Sequence, residues 1–320
     1  MNAYDINSNS HILGCLIEKA LIDTVRWAYD QCNSQKPQEP DYVAALSIKF
    51  TEELFHILTV VFPNYDFSVS SVYCHQKPIV DIGLGKKPEL GDILFVYADR
   101  RTHERRLNSL LLQAKISANP YFRIHESEKH QLELYKSWPE FTYCRAGHLN
   151  GKKRSILPKT INDGAQYLLI DNNPLTNGVY FEPDMIPMAC AVPDDTLYAN
   201  KSLSGELVDF LKFKSGRTFD SNPRSTEDDW SKMIWDLLKI AAGTYSKRKN
   251  ARLSSFPRSV EYDYSFKTKA MRGGTLLDEA LDGYIGRAET LNENDQEDIG
   301  VSVVLIESQL KREQEERRLY

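Results

Sequence analysis

Cysteine is sparse in this chain and shows no pattern. The five residues, Cys15, Cys32, Cys74, Cys144 and Cys190, are odd in number and lack any C-x-x-C pair. That excludes a disulfide framework and a structural zinc site. Cys74-His75 has no second pair at ligand spacing. No apolar run approaches the length of a membrane span. Met1–Ser10 lacks the basic-then-apolar order of a signal peptide, so the expected location is the cytosol. No serine-hydrolase elbow, Walker loop or H-E-x-x-H helix occurs, and Gly83-Leu84-Gly85-Lys86 is too short to cradle a triphosphate. Excess positive charge is missing as well. The net charge of −5 excludes a surface coated for nonspecific nucleic-acid binding.

The residues that are present describe a globular chain. Hydrophobic residues make up 41%, enough for a substantial core. The basic residues gather locally at Arg100–Arg106, at Arg145–Lys159 with Lys152-Lys153-Arg154 inside it, and at Lys247–Arg258. Such patches can meet phosphate on an otherwise acidic surface. Apolar spacing predicts helices over His11–Cys32 and, after the polar linker Asn33–Pro40, over Asp41–Val61 with Asp41 as the cap. Phe67–Tyr73 and Pro78–Ile82 read as a hairpin. Further strands are expected at Gly91–Tyr97, Leu110–Ile116, Phe141–Cys144 and Gln166–Asp171, with a helix at Ser127–Trp138 and a basic loop at Arg145–Asn162. This order predicts a mixed α/β layer over residues 1–175. Residues 176–320 read as an α-rich region, with helices at Ser204–Phe213 and Thr226–Ala242, strands at Met185–Val192 and Val301–Ile306, a basic loop at Lys247–Arg258 and a charged tail from Lys311.

Two strands carry the chemistry. In Leu110-Leu111-Leu112-Gln113-Ala114-Lys115-Ile116, Gln113 and Lys115 share one face and Leu112, Ala114 and Ile116 the other. An ionisable group in so apolar a strand needs a partner, and Asp92 on the preceding strand provides one. A helix, a hairpin, an Asp strand and an x-x-Lys strand in this order resemble the PD-(D/E)xK, restriction-endonuclease-like nuclease superfamily over about residues 40–175. Two departures stand out. The acid lies in Glu89-Leu90-Gly91-Asp92 rather than in a Pro-Asp pair, and Gln113 replaces the second acid, a variant known in some branches. His130-Gln131-Leu132-Glu133-Leu134-Tyr135 is similar to the Q-x-x-x-Y element of RecB-type exonucleases, with Gln131 and Tyr135 on one helix face.

The resemblance implies a central mixed sheet flanked by helices and Mg²⁺-dependent hydrolysis of DNA, with Mn²⁺ able to substitute. Asp92 and Gln113 would ligate the cation, and Lys115 would orient water and stabilise charge on the phosphorus. A helix acid often completes such sites. Glu53 is expected on the apolar stripe Leu46, Phe50, Leu54, Ile57 and Val61, and Glu89 is the second choice. Gln131 and Tyr135, with Lys152, Lys153 and Arg154, would touch the nucleic acid. The setting such variants suggest is bacterial restriction or anti-phage defence. A homodimer would suit cutting of both strands. Two other readings are a binding module that has lost the metal, and a subunit that docks a partner such as an ATPase through Trp230 and Trp235.

Overall fold

The computed structural model describes residues 1–32, 36–74, 78–100, 105–171, 187–248, 275–285 and 300–311. In chain order the elements are α1 (Ala3–Gln31), α2 (Glu39–Ala45), α3 (Thr51–Val61), β1 (Tyr65–Val72), β2 (Ile79–Asp81), β3 (Ile93–Arg100), β4 (Arg105–Ser117), β5 (Tyr121–Arg123), α4 (Lys129–Ser137), β6 (Phe141–Arg145), β7 (Lys153–Arg154), β8 (Ala165–Asp171), β9 (Met188–Ala191), β10 (Thr196–Tyr198), β11 (Lys201–Ser202), α5 (Leu203–Leu211), β12 (Arg217–Phe219), α6 (Asp229–Arg248), α7 (Leu276–Ile285) and β13 (Ser302–Leu310).

One mixed sheet organises the chain. Its order is β1-β13-β3-β4-β8-β9-β11, with β12 on the β4 edge. β13 runs parallel to β3 and β8 parallel to β4, and the other pairings are antiparallel. A core lies on each face. One joins Leu94, Val96, Leu111 and Leu169 to α4, α6 and α7. The other joins Ile93, Phe95, Leu112 and Leu168 to α1, α2, α3 and α5. Residues 93–98 of β3 are buried on both faces, which is why that stretch reads as an uninterrupted apolar run rather than an alternation. No helix among the described residues is long and apolar enough to cross a membrane.

Several expectations change. Phe67–Tyr73 and Pro78–Ile82 do not form a hairpin: β1 pairs with β13, and β2 pairs with β6. Asp41 is not the cap. The α2 cap is Gln38, and the Asp41 carboxylate accepts from the Gln38 amide at 2.7 Å in a capping box. The run to Val61 is helical but passes through a π-helical segment, Leu46–Phe50. There the Leu46 carbonyl accepts from Thr51 Oγ1 at 3.1 Å and the Ser47 carbonyl from the Ser71 hydroxyl. The extra residue shifts the phase of everything after it. Thr51, Leu54 and Leu58 therefore face the core, while Ile57 and Val61 lie on its margin. The region beyond 175 is not simply an α-rich appendage, because β9, β11, β12 and β13 all belong to the central sheet. The α6 stripe Trp230, Met233, Ile234, Leu237, Leu238 and Ala241 is buried as its spacing predicts. Residues 249–258 of the expected basic loop and 312–320 of the tail lie outside the described residues.

Candidate active site

Asp92 stands immediately before β3, and its backbone is tied to strands on both sides. Its amide donates to the Leu112 carbonyl at 2.9 Å, and its carbonyl accepts from the Ser302 amide at 3.2 Å. Across β4 its carboxylate oxygen Oδ2 accepts from the Gln113 side-chain amide and from the Ala114 backbone amide, the latter at 2.7 Å. Asp92 and Gln113 are almost wholly buried, at 1% and 3% exposure. The two strands thus bring together the acid and the amide that the sequence singled out.

Lys115 sits two residues further along the same face of β4. Its ammonium meets Glu128 Oε1 at 2.7 Å and Glu39 Oε1 at 4.0 Å. Burial alone would lower its pKa, but the charges of Glu39, Glu128 and Asp92 and the hydrogen bond to Glu128 outweigh that and raise it. The Glu128 carboxyl is held below the usual carboxylate range. Burial pushes it upward, but the Lys115 hydrogen bond and charge and the His125 amide prevail. Lys115 is therefore a cation, suited to neutralising phosphate charge and unsuited to accepting a proton.

Glu128 and Glu39 were not anticipated from the sequence. Glu128 ends the 3₁₀ turn Glu126–Glu128, where its side chain and that of His125 form a reciprocal cap. That spacing was legible as a helix start, though nothing in it pointed to Lys115. Glu39 lies between Pro37 and Pro40 in what reads as a linker. Tyr167 was also missed. It pairs in register with Gln113 and is fully buried.

The remaining candidates fall elsewhere. Glu53 bonds Lys49 at 2.7 Å and influences Lys19 of α1, so the π segment has turned it onto the α1–α3 flank. The side chains of Gln131 and Tyr135 point inward, contrary to their expected contact with nucleic acid. Gln131 Nε2 donates to the Glu89 carbonyl at 2.8 Å, and the Tyr135 hydroxyl donates to the Leu90 carbonyl at 2.9 Å. Tyr135 is fully buried, with Trp138 stacked on it at 5.8 Å. Together they clamp the backbone of Glu89 and Leu90, the two residues leading to Gly91 and Asp92. Gly91 belongs to the same clamp, since a Cβ there would lie 2.7 Å from Leu111 Cδ1 and 2.9 Å from the Tyr135 hydroxyl. Arg154 is committed to Asp236 of α6 at 2.5 Å, whereas Lys152 and Lys153 are exposed and Lys153 pairs with Glu140 at 3.3 Å. Trp230 and Trp235 are core residues and present no docking face.

Among the described residues, no group of three or more His, Cys, Asp or Glu side chains could hold a metal ion. An all-protein carboxylate cage is therefore not what this site offers. The donor set does fit a cation of the Mg²⁺ type, which takes one or two protein oxygens and completes its shell with water and phosphate. Asp92 supplies a carboxylate, and Gln113 Oε1 is a buried oxygen with no hydrogen-bond partner. No family model, no curated protein and no solved structure matches the chain.

Proposed function

We propose that this protein is a divalent-cation-dependent deoxyribonuclease with a restriction-endonuclease-like core. The observation that carries the reading is the convergence of Asp92, Gln113 and a Lys115 paired with Glu128 on one sheet face, from two adjacent strands. Asp92 and Gln113 would hold Mg²⁺, which, when bound, polarises the phosphate and eases deprotonation of water. Mn²⁺ should substitute. Lys115 would exchange Glu128 for a phosphate oxygen, stabilising negative charge that grows on the phosphorus in the transition state. Gln131, Tyr135 and Gly91 would act on the chemistry indirectly by fixing where Asp92 stands.

The test is cleavage of supercoiled plasmid and of a single-stranded circle with Mg²⁺, Mn²⁺ or EDTA, beside Lys115→Ala. Metal-dependent cutting that is lost in a folded Lys115→Ala protein supports the reading, and unchanged cutting in that variant sinks it. A second reading, a nucleic-acid-binding module without catalysis, is favoured by the burial of Asp92 and Gln113 behind the Lys115–Glu128 pair. It predicts DNA binding that EDTA does not disturb and no cutting with either metal.

A further inference from the structure

Gln113 of β4 and Tyr167 of β8 are partners in parallel register, so both side chains leave the sheet on the same face. They are 3% and 0% exposed. Each ends in an oxygen with no hydrogen-bond partner, Gln113 Oε1 and the Tyr167 hydroxyl. An unmet buried polar atom destabilises the fold, because its hydration is lost and nothing replaces it. Fourteen buried side-chain polar atoms lack a partner among the described residues, and these two stand out because they sit on facing residues of adjacent strands, where one ligand can meet both.

The surroundings limit what that ligand can be. An apolar molecule would leave both oxygens unmet. The Asp92 carboxylate bonds directly to Gln113 and the Glu128 carboxylate pairs with Lys115 two residues along, while the Tyr167 phenol can donate as well as accept. Two carboxylates disfavour an anion, and the nearby positive charge of Lys115 is already matched by Glu128 and Glu39. Burial of every group at this point limits the ligand to a small one. A hydrated cation meets all these conditions, because metal shells rely on outer hydrogen-bonding partners as well as direct ligands.

We propose that Gln113 and Tyr167 share one hydrated divalent cation, the amide oxygen ligating it and the phenol hydrogen-bonding to its hydration water. Tyr167 is then a positioning residue for the metal. The inference rests on the metal-dependent reading above and adds a residue which that reading does not require.

The experiment is a titration of the full chain with Mn²⁺ alone, following the free-ion signal by electron paramagnetic resonance, for the unaltered protein, Tyr167→Phe and Asp92→Asn. Thermal melts in EDTA accompany it. The expected result is a 10- to 100-fold loss of Mn²⁺ affinity in Tyr167→Phe, with a melting temperature in EDTA equal to or above that of the unaltered protein, since an unmet hydroxyl has been removed. Asp92→Asn should abolish the same binding. Equal Mn²⁺ affinity in Tyr167→Phe would overturn the inference and leave the nuclease reading standing. A lower melting temperature in EDTA would show a merely structural hydroxyl and overturn it too. Absence of Mn²⁺ binding by the unaltered protein would overturn the inference together with the metal-dependent reading.

Discussion

Lys115 carries most of the electrostatics of the site, and its pH behaviour can be worked out from its partners. Its folded pKa is raised, so the stability it contributes is fully present below the unfolded lysine value of about 10.4 and is lost as pH rises through the folded value. Glu128 is depressed, so its contribution is present above about pH 4.3 and is lost as pH falls through its folded value. Lys115→Met should therefore destabilise by a constant amount between these limits, with the difference closing at either end. Urea unfolding at stepped pH measures it. The amount should stay near or below about 1 kcal/mol, because Glu128 and Glu39 remain partly in water. If the proposed cleavage is found, the unaltered protein should show no loss assignable to a lysine between about pH 7 and 10. Tyr135→Phe is a different kind of change. It orphans the buried Leu90 carbonyl and should cost about 1–3 kcal/mol in urea unfolding. Gly91→Ala should cost a similar amount through overpacking against Leu111 and the Tyr135 hydroxyl. Both should also lower turnover by loosening Asp92.

Elements explain which parts of the site could be read in advance. The pairing of β3 with β4 was legible because Asp92, Gln113 and Lys115 stand next to the apolar stretches 93–98 and 110–112, and period-two alternation fixes their faces. Tyr167 was hidden for the opposite reason: in Gln166–Asp171 a tyrosine is one more buried residue, and only the register of β8 shows what it faces. Glu53 stands off the expected apolar stripe because a constant 3.6-residue period does not hold through Leu46–Phe50, where the helix is π-wound. Glu39 and Glu128 act from outside the two strands, at distances set by chain packing that no local spacing reports. The β6–β7 element makes a separable prediction about the basic cluster. Lys152→Glu with Lys153→Glu should weaken DNA binding and flatten its salt dependence, with stability changed by no more than about 0.5 kcal/mol. Arg154→Ala should instead lower stability by about 3–5 kcal/mol, because Asp236 is left buried and uncompensated. Fluorescence anisotropy and thermal melts together separate the two outcomes.

At the scale of the whole molecule, the division of the chain near residue 175 does not coincide with a division of the sheet. β13 lies between β1 and β3, and its Ser302 amide holds the Asp92 carbonyl. A fragment of residues 1–175 should therefore fail to fold. Far-ultraviolet circular dichroism and proteolysis would show this, and a stable, protease-resistant fragment would contradict it. The mixed α/β character was legible from element order, and the helices flanking a central sheet followed only from the resemblance. The place of β13 was not legible, because a short apolar strand at Val301–Ile306 carries no mark of its neighbours. Its position has a consequence for biogenesis. About 200 residues separate the end of β3 from the start of β13, which at roughly 5–20 residues per second takes on the order of 10–40 s to translate. During that interval the facing edges of β1 and β3 wait on the ribosome without the strand that joins them. Nascent chains would then expose two adhesive sheet edges at once, so yield in the cell should depend on translation speed and on holdase chaperones more steeply than the finished protein's stability would suggest.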